Sequence, residues 1–223
     1  MTPVIPAPFA ECRVYNRLVL LRSLTFCLAG ATALVAACGD STTPNEEVCE
    51  GFPDWATSPY VLPYAKGASY FVDQANCSSV GSGHRGVARY GYDFLLPIGT
   101  AVTAARGGTV THVEESHFDG ELAATGKDNF LVILHADGTS ALYGHFTHDG
   151  VSVSVGQSVG AGYLIGFSGN TGNTANKPHL HLSESGCDPV TNGTTACPTT
   201  PITFSNTDPN PRGLEAGRAY PAH

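Results

Sequence analysis

The chain has 223 residues, 42% of them apolar and only 13% charged, with a formal net charge of −8 at pH 7. That length can bury one good core with tails, or two small ones, and one domain is the expectation. Eleven Lys and Arg in all argue against nucleic acid as a partner, and abundant Gly, Thr, Ser and Val without helical charge periodicity argue against a helical bundle.

At the N-terminus, Arg13, Arg17 and Arg22 precede an uncharged apolar run, residues 23–37. The run is too short to span a bilayer comfortably and has the charge-then-apolar order of a secretory signal, so residues 1–37 are expected to direct export. The first dozen residues, with Pro3, Pro6, Pro8 and Glu11, are unlike the start of such a signal and point to a start codon further downstream. The run closes on Leu34-Val35-Ala36-Ala37-Cys38-Gly39, which resembles the lipobox of bacterial lipoproteins. That resemblance implies lipidation of Cys38, a cell-envelope location and membrane contact through the lipid alone. Plain cleavage after the small residues, with Cys38 an ordinary thiol, is the competing reading. Loss of residues 1–37 removes three Arg and one Glu and leaves a net charge of −10, an acidity that reads as ordinary solubility. Of seven cysteines, Cys12 and Cys27 leave with the signal and Cys49, Cys77, Cys187 and Cys197 remain. An exported domain favours disulfides, and the absence of any CxxC spacing disfavours a cysteine zinc site. Three pairings are open, and closure of the shorter loops favours Cys49–Cys77 with Cys187–Cys197.

Residues 38–57 lack apolar periodicity and read as a flexible tether. Between Tyr60 and Asp73, Tyr60-Val61-Leu62-Pro63-Tyr64 and Ser69-Tyr70-Phe71-Val72 predict one or two strands. A glycine-rich loop, residues 79–86, then carries His84, and Tyr90–Leu96 predicts a strand stopped by Pro97. Short β-branched or aromatic runs follow at 100–104, 108–113, 129–135 and 140–145, separated by turn signals such as Asp137-Gly138. The interval 115–128 is polar and long for a hairpin, and is expected to overhang one rim. Residues 151–157 and 163–167 predict two more strands. Ser168-Gly169-Asn170-Thr171-Gly172 then turns the chain into Lys177-Pro178-His179-Leu180-His181-Leu182-Ser183-Glu184. As a strand, that stretch points His179 and His181 to one face and the two leucines to the other, buried one. The pattern predicts a mainly β fold, an antiparallel sandwich or meander with few helices, over residues 58–200. Residues 201–223 are rich in Pro and Asn and read as a surface wrap or tail.

A hydrolytic zinc needs about three N or O ligands, an open position for water and a nearby base. No HExxH is present. The chain offers His84, Asp93, His145, His179 and His181, all on or beside strands next to glycine-rich turns. A GxSxG match, Gly156-Gln157-Ser158-Val159-Gly160, is followed by a strand pattern where a nucleophile elbow needs a helix, and reads as a turn.

These residues carry a family resemblance. His84-Arg85-Gly86, Tyr90–Thr100, Tyr143-Gly144-His145-Phe146, Val155–Val159, Gly169–Gly172 and His179-Leu180-His181 resemble, in this order across residues 80–184, the lysostaphin-type (LytM-like) zinc metallopeptidases. The resemblance implies an antiparallel β cradle of the duplicated hybrid motif type and one Zn2+. It also implies a zinc-bound water as nucleophile and hydrolysis of peptide bonds in bacterial peptidoglycan; a monomer is expected. By position, His84, Asp93 and His181 match the family's zinc ligands, and His145 and His179 its two catalytic histidines. One departure is that eight residues separate His84 from Asp93, where many members have three. His84 is nevertheless the only histidine upstream, and Gly86 and Gly91 let the enlarged loop fold back.

His112, His117, His148 and His223 have no motif behind them and read as surface residues, while His135 and Tyr143 read as packing residues. Two other functions compete. A non-catalytic LytM-like module that regulates a cell-wall amidase typically lacks several metal or catalytic positions, and all five stand here. A carrier domain resembling the Val155–Val159 hammerhead would need a lysine at a hairpin tip, which is missing.

Overall fold

The computed structural model describes residues 49–78, 84–121 and 126–223; the signal-like segment, Cys38 and most of the tether lie outside the described residues. The short β-branched and aromatic runs form the strands β1 (Ser69–Gln74), β2 (Tyr92–Phe94), β3 (Ala101–Thr103), β4 (Gly108–Glu114), β5 (Phe130–Leu134) and β6 (Ser140–Gly144). They continue with β7 (Phe146–Val151), β8 (Ser158–Val159), β9 (Leu164–Ser168), β10 (Leu180–Ser185), β11 (Thr199–Thr200) and β12 (Arg218–Pro221). Among the described residues the one α-helix is α1 (Pro189–Asn192), capped by the Asp188 carboxylate, which accepts from the amides of Val190 and Thr191. No described helix is long and apolar enough to cross a membrane.

All strand pairs are antiparallel. The larger sheet runs β12-β1-β2-β10-β6-β5-β4-β8, with β11 pairing the far end of β10, and the smaller runs β3-β9-β7. The β5-β6 hairpin follows from the tight turn at Asp137-Gly138, whereas β4 and β5 pair across the long excursion between them. The placement of β10 between β2 and β6 follows from burial instead. Leu180 and Leu182 are at most 1% exposed, and they pack in one core with Tyr92, Phe94, Leu131, Ile133 and Tyr143. Burying such side chains is worth about 1.5–3 kcal/mol each, so a central slot suits this strand. The Tyr143 hydroxyl accepts from the Ala105 amide at 2.8 Å, so this tyrosine packs, as expected.

Of the one or two strands expected between Tyr60 and Asp73, one forms, β1; residues 60–64 run beside Thr103 and Ala105, with single backbone hydrogen bonds at Val61 and Thr103. Two expectations change. The strand expected at 151–157 lies upstream, at β7, because Gly156 turns the chain there at φ 89°. Residues 201–223, expected as a tail, are built into the core: Ile202, Phe204, Leu214 and Tyr220 are buried, and β12 pairs with β1. Its apolar residues are too widely spaced to show a strand period, and only the partner strand reveals their role. The end of the tether is also packed, with Phe52 edge-on to Tyr90 at 5.7 Å. Disulfides join Cys49 to Cys77 and Cys187 to Cys197.

Candidate metal centre

Strand register assembles the site. His181 on β10 stands opposite Asp93 on β2 and, on its other side, opposite Gly144 at the end of β6. Residues opposite one another share a face, so one transverse row carries a carboxylate, an imidazole and a side-chain-free gap. His179, two residues before His181, lies on the same face and makes an isolated bridge with Gly169. His145 follows Gly144 at the point where the chain leaves the larger sheet for the smaller, and it takes the left-handed conformation, φ 68°. That region is uncommon for a residue with a Cβ. His84 arrives from the loop before β2.

The loop reaches this far because Gly91 has no side chain: a Cβ there would lie 3.2 Å from the His181 ring and 3.3 Å from the His84 ring. The ligand-type atoms of His84, Asp93 and His181 all lie within 4.8 Å of one another. Asp93 Oδ1 is 2.9 Å from His181 Nδ1, 3.3 Å from His84 Nε2 and 3.9 Å from His179 Nε2. Ligands of a tetrahedral zinc at about 2.0–2.1 Å stand roughly 3.3 Å apart, so the two shorter separations fit that ion closely. His84 Nδ1–H donates to the Ala75 carbonyl at 3.1 Å, so Nε2 faces Asp93, as a lone pair for a metal when the ring is neutral and as an N–H donor to the carboxylate when the metal-free ring is protonated. Burial favours a neutral Asp93, but hydrogen bonds from His181 and His84 outweigh it and hold the carboxyl well below the usual range. Burial lowers the pKa of His181, with Asp93 opposing. For His84 burial also acts downward, but Asp93 and two backbone carbonyls prevail and the net shift is up.

Beside this triad, the His145 and His179 rings lie 4.5 Å apart, and His145 is 6.3 Å from His181. Each directs Nδ1–H to a backbone carbonyl, His145 to Thr171 at 2.8 Å and His179 to Lys177 at 2.7 Å. A carbonyl only accepts, so both Nε2 atoms carry lone pairs when the rings are neutral. Burial, first, and the neighbouring His145 and His181 push the His179 pKa down against the pull of Asp93.

The five residues singled out by motif therefore stand together. His135, read as packing, is buried with Nδ1 on the Gly107 carbonyl at 2.9 Å and Nε2 3.3 Å from Glu184 Oε2. His112 is 3.3 Å from Asp188, away from the site. Sequence reasoning singled out Gly91 for the folding back of the loop but not its place between two rings, and it missed Thr171 and Asp128, whose Oδ1 is 3.4 Å from His145 Nδ1. The Gly169–Gly172 motif contained Thr171, but nothing in it said which carbonyl would face a histidine.

Residues 87–190 match the model of Peptidase family M23. The match holds Asp93, His145, His179 and His181, and begins three residues after His84. The chain is 36% identical over 91 residues to the peptidoglycan DD-endopeptidase ShyA of Vibrio cholerae, covering 41% of this chain and 19% of that protein. It is 35% identical over 101 residues to lysostaphin of Staphylococcus simulans, covering 45% and 18%. The chain thus spans about a fifth of the length of these relatives. Among solved structures it is similar to the catalytic domain of lysostaphin from the same organism, with 26% identity and a TM-score of 0.41, covering 59% of this chain and 87% of that one.

Proposed function

We propose that the chain is a zinc-dependent endopeptidase that hydrolyses peptide bonds in bacterial peptidoglycan. The observation that carries this reading is the convergence of a His84–Asp93–His181 triad with a second pair, His145 and His179, 4.5 Å apart. A regulator without activity has no use for the second pair. The peptidoglycan substrate comes from the relatives, two of which are named peptidoglycan or DD endopeptidases.

In this reading His84 Nε2, Asp93 Oδ1 and His181 Nδ1 hold the zinc. The ion, when bound, supplies the Lewis acidity that makes water nucleophilic near neutral pH. The chain's own groups do the proton work. His179, kept neutral by burial, accepts a proton at Nε2. His145, held by Thr171, presents Nε2 to the scissile group, where its protonated form donates to the developing oxyanion or the leaving amine. The signal-like order of residues 1–37 and the lipobox-like run ending at Cys38 support a cell-envelope location with a lipid anchor.

The test is digestion of purified sacculi with zinc analysis. His181→Ala is expected to lose both zinc and activity. His145→Ala should keep its zinc and lose activity; digestion at the wild-type rate would refute the mechanism. Mass spectrometry of the products identifies the bond that is cut.

A further inference from the structure

The described residues of the 115–128 interval, 115–121 and 126–128, are not used by the reaction as described, yet Glu115, Asp119 and Asp128 are anchored against the site. Glu115 accepts from the Val151 amide, and the Asp119 carboxylate accepts from Thr147 Oγ1 and the Asn170 amide. The last residue of the interval, Asp128, reaches the chemistry, with Oδ1 3.4 Å from His145 Nδ1 and accepting from the Asn173 amide at 3.2 Å.

The place for this carboxylate is built from both sides. Asn129, the next residue, donates its amide to Thr171 Oγ1 at 3.0 Å, and its side chain donates to the Phe146 carbonyl at 3.2 Å. Thr171 Oγ1 donates to that same carbonyl at 3.0 Å. The two segments that face His145 Nδ1 are thus locked to each other and to the start of β7. Opposite them, Gly172 has φ 73°, and a Cβ there would occupy the space of the Asp128 carboxylate. The hydrogen bond with His145 is the main influence holding the Asp128 pKa below its usual value, against partial burial.

We propose that Asp128 is a positioning residue for His145: its carboxylate shares the Nδ1–H with the Thr171 carbonyl and complements the positive charge of the ring when it holds a proton. This rests on the reading of His145 as a catalytic group. The Thr171 carbonyl alone fixes the tautomer, but as a neutral dipole it opposes little of the charge the ring acquires. A carboxylate at this distance, half-sheltered from water, adds an attraction that grows as the proton arrives. A carboxylate at a rim could instead hold a cationic group of the substrate, and that role has a different kinetic signature.

The experiment uses the full zinc-loaded chain and a soluble cross-linked muropeptide. Asp128→Asn keeps the shape and an oxygen for the Asn173 amide while removing the charge. It is expected to lower kcat about tenfold to a hundredfold, with KM within about twofold and zinc content and Tm unchanged. Measured on the residual cleavage of the His145→Ala variant at high enzyme concentration, the same substitution should cost nothing further. A wild-type kcat, an effect on KM alone, or an undiminished loss in the His145→Ala background would overturn the proposal. Should Asp128→Asn fold poorly, Asp128→Glu with imidazole 15N–1H correlation spectra decides it: the His145 Nδ1–H resonance is expected to move with the carboxylate, and an unmoved resonance refutes it. If the wild-type chain cleaves no muropeptide, the endopeptidase reading fails, while the spectra still report on the Asp128–His145 contact.

Discussion

Gly91 sits where two rings converge, and a methyl group there would press on both His84 and His181 at 3.2–3.3 Å. Each ring must shift by a few tenths of an ångström, enough to spoil ligand geometry but little of the core. Gly91→Ala is therefore expected to weaken zinc binding about tenfold to a hundredfold, measured by competition with a chelator, with Tm of the metal-free protein nearly unchanged. His145 raises a different question, because its φ of 68° strains the backbone of a residue with a Cβ. His145→Gly should be inactive yet unfold at no lower denaturant concentration than wild type, which denaturation checks. The His84–Asp93 contact sets a pH window for the metal-free protein. Asp93 has its pKa lowered, so its contribution is present above about 3.9 and is lost as pH falls through the folded value. His84 has its pKa raised, so its contribution is complete below about 6.5 and is lost as pH rises through the folded value. Metal-free protein should thus draw most stability from this pair between about pH 4 and 6.5. Zinc affinity should rise through neutrality as the proton leaves His84, with proton release visible in calorimetry run in two buffers.

β10 is the element on which the site and the core meet. Its alternation turns Leu180 and Leu182 into the core and leaves His179 and His181 facing the site, which the period of two made readable beforehand. Further along, Glu184 pairs with His135 at 3.3 Å, both side chains at most 2% exposed, and so ties β10 to the end of β5 across β6. The Tyr60 hydroxyl also lies against the Glu184 carboxylate. His135→Ala strands a buried carboxylate and is expected to cost about 3–5 kcal/mol, read from urea denaturation. His135→Ala combined with Glu184→Leu should recover much of that loss, because no buried charge then remains.

At the scale of the molecule, two disulfides close segments that flank the site. Cys49–Cys77 fastens the end of the tether beside Ala75, whose carbonyl orients His84, and Cys187–Cys197 closes the chain just after β10. Loop separations of 28 and 10 residues predict losses of about 3.5 and 2.7 kcal/mol when each pair is replaced by serine. Denaturation of the two double variants measures these, and only the Cys49–Cys77 variant should also bind zinc more weakly. Much of this protein was determined by its sequence alone. Turn chemistry and β-branched runs dictate a mainly antiparallel fold, and His84, Asp93, His145, His179 and His181 stood out beside glycine-rich turns, with their roles implied by the resemblance to the lysostaphin-type family. These are local patterns, legible because strand period and turn residues act over a few positions. Tertiary structure alone decided the rest: that residues 201–223 close a sheet edge rather than trail, that Gly91 admits two rings, and that Asp128 faces His145. Each depends on which distant segments pack together, and that choice is made by burial summed over the whole core, a quantity no short stretch of sequence carries.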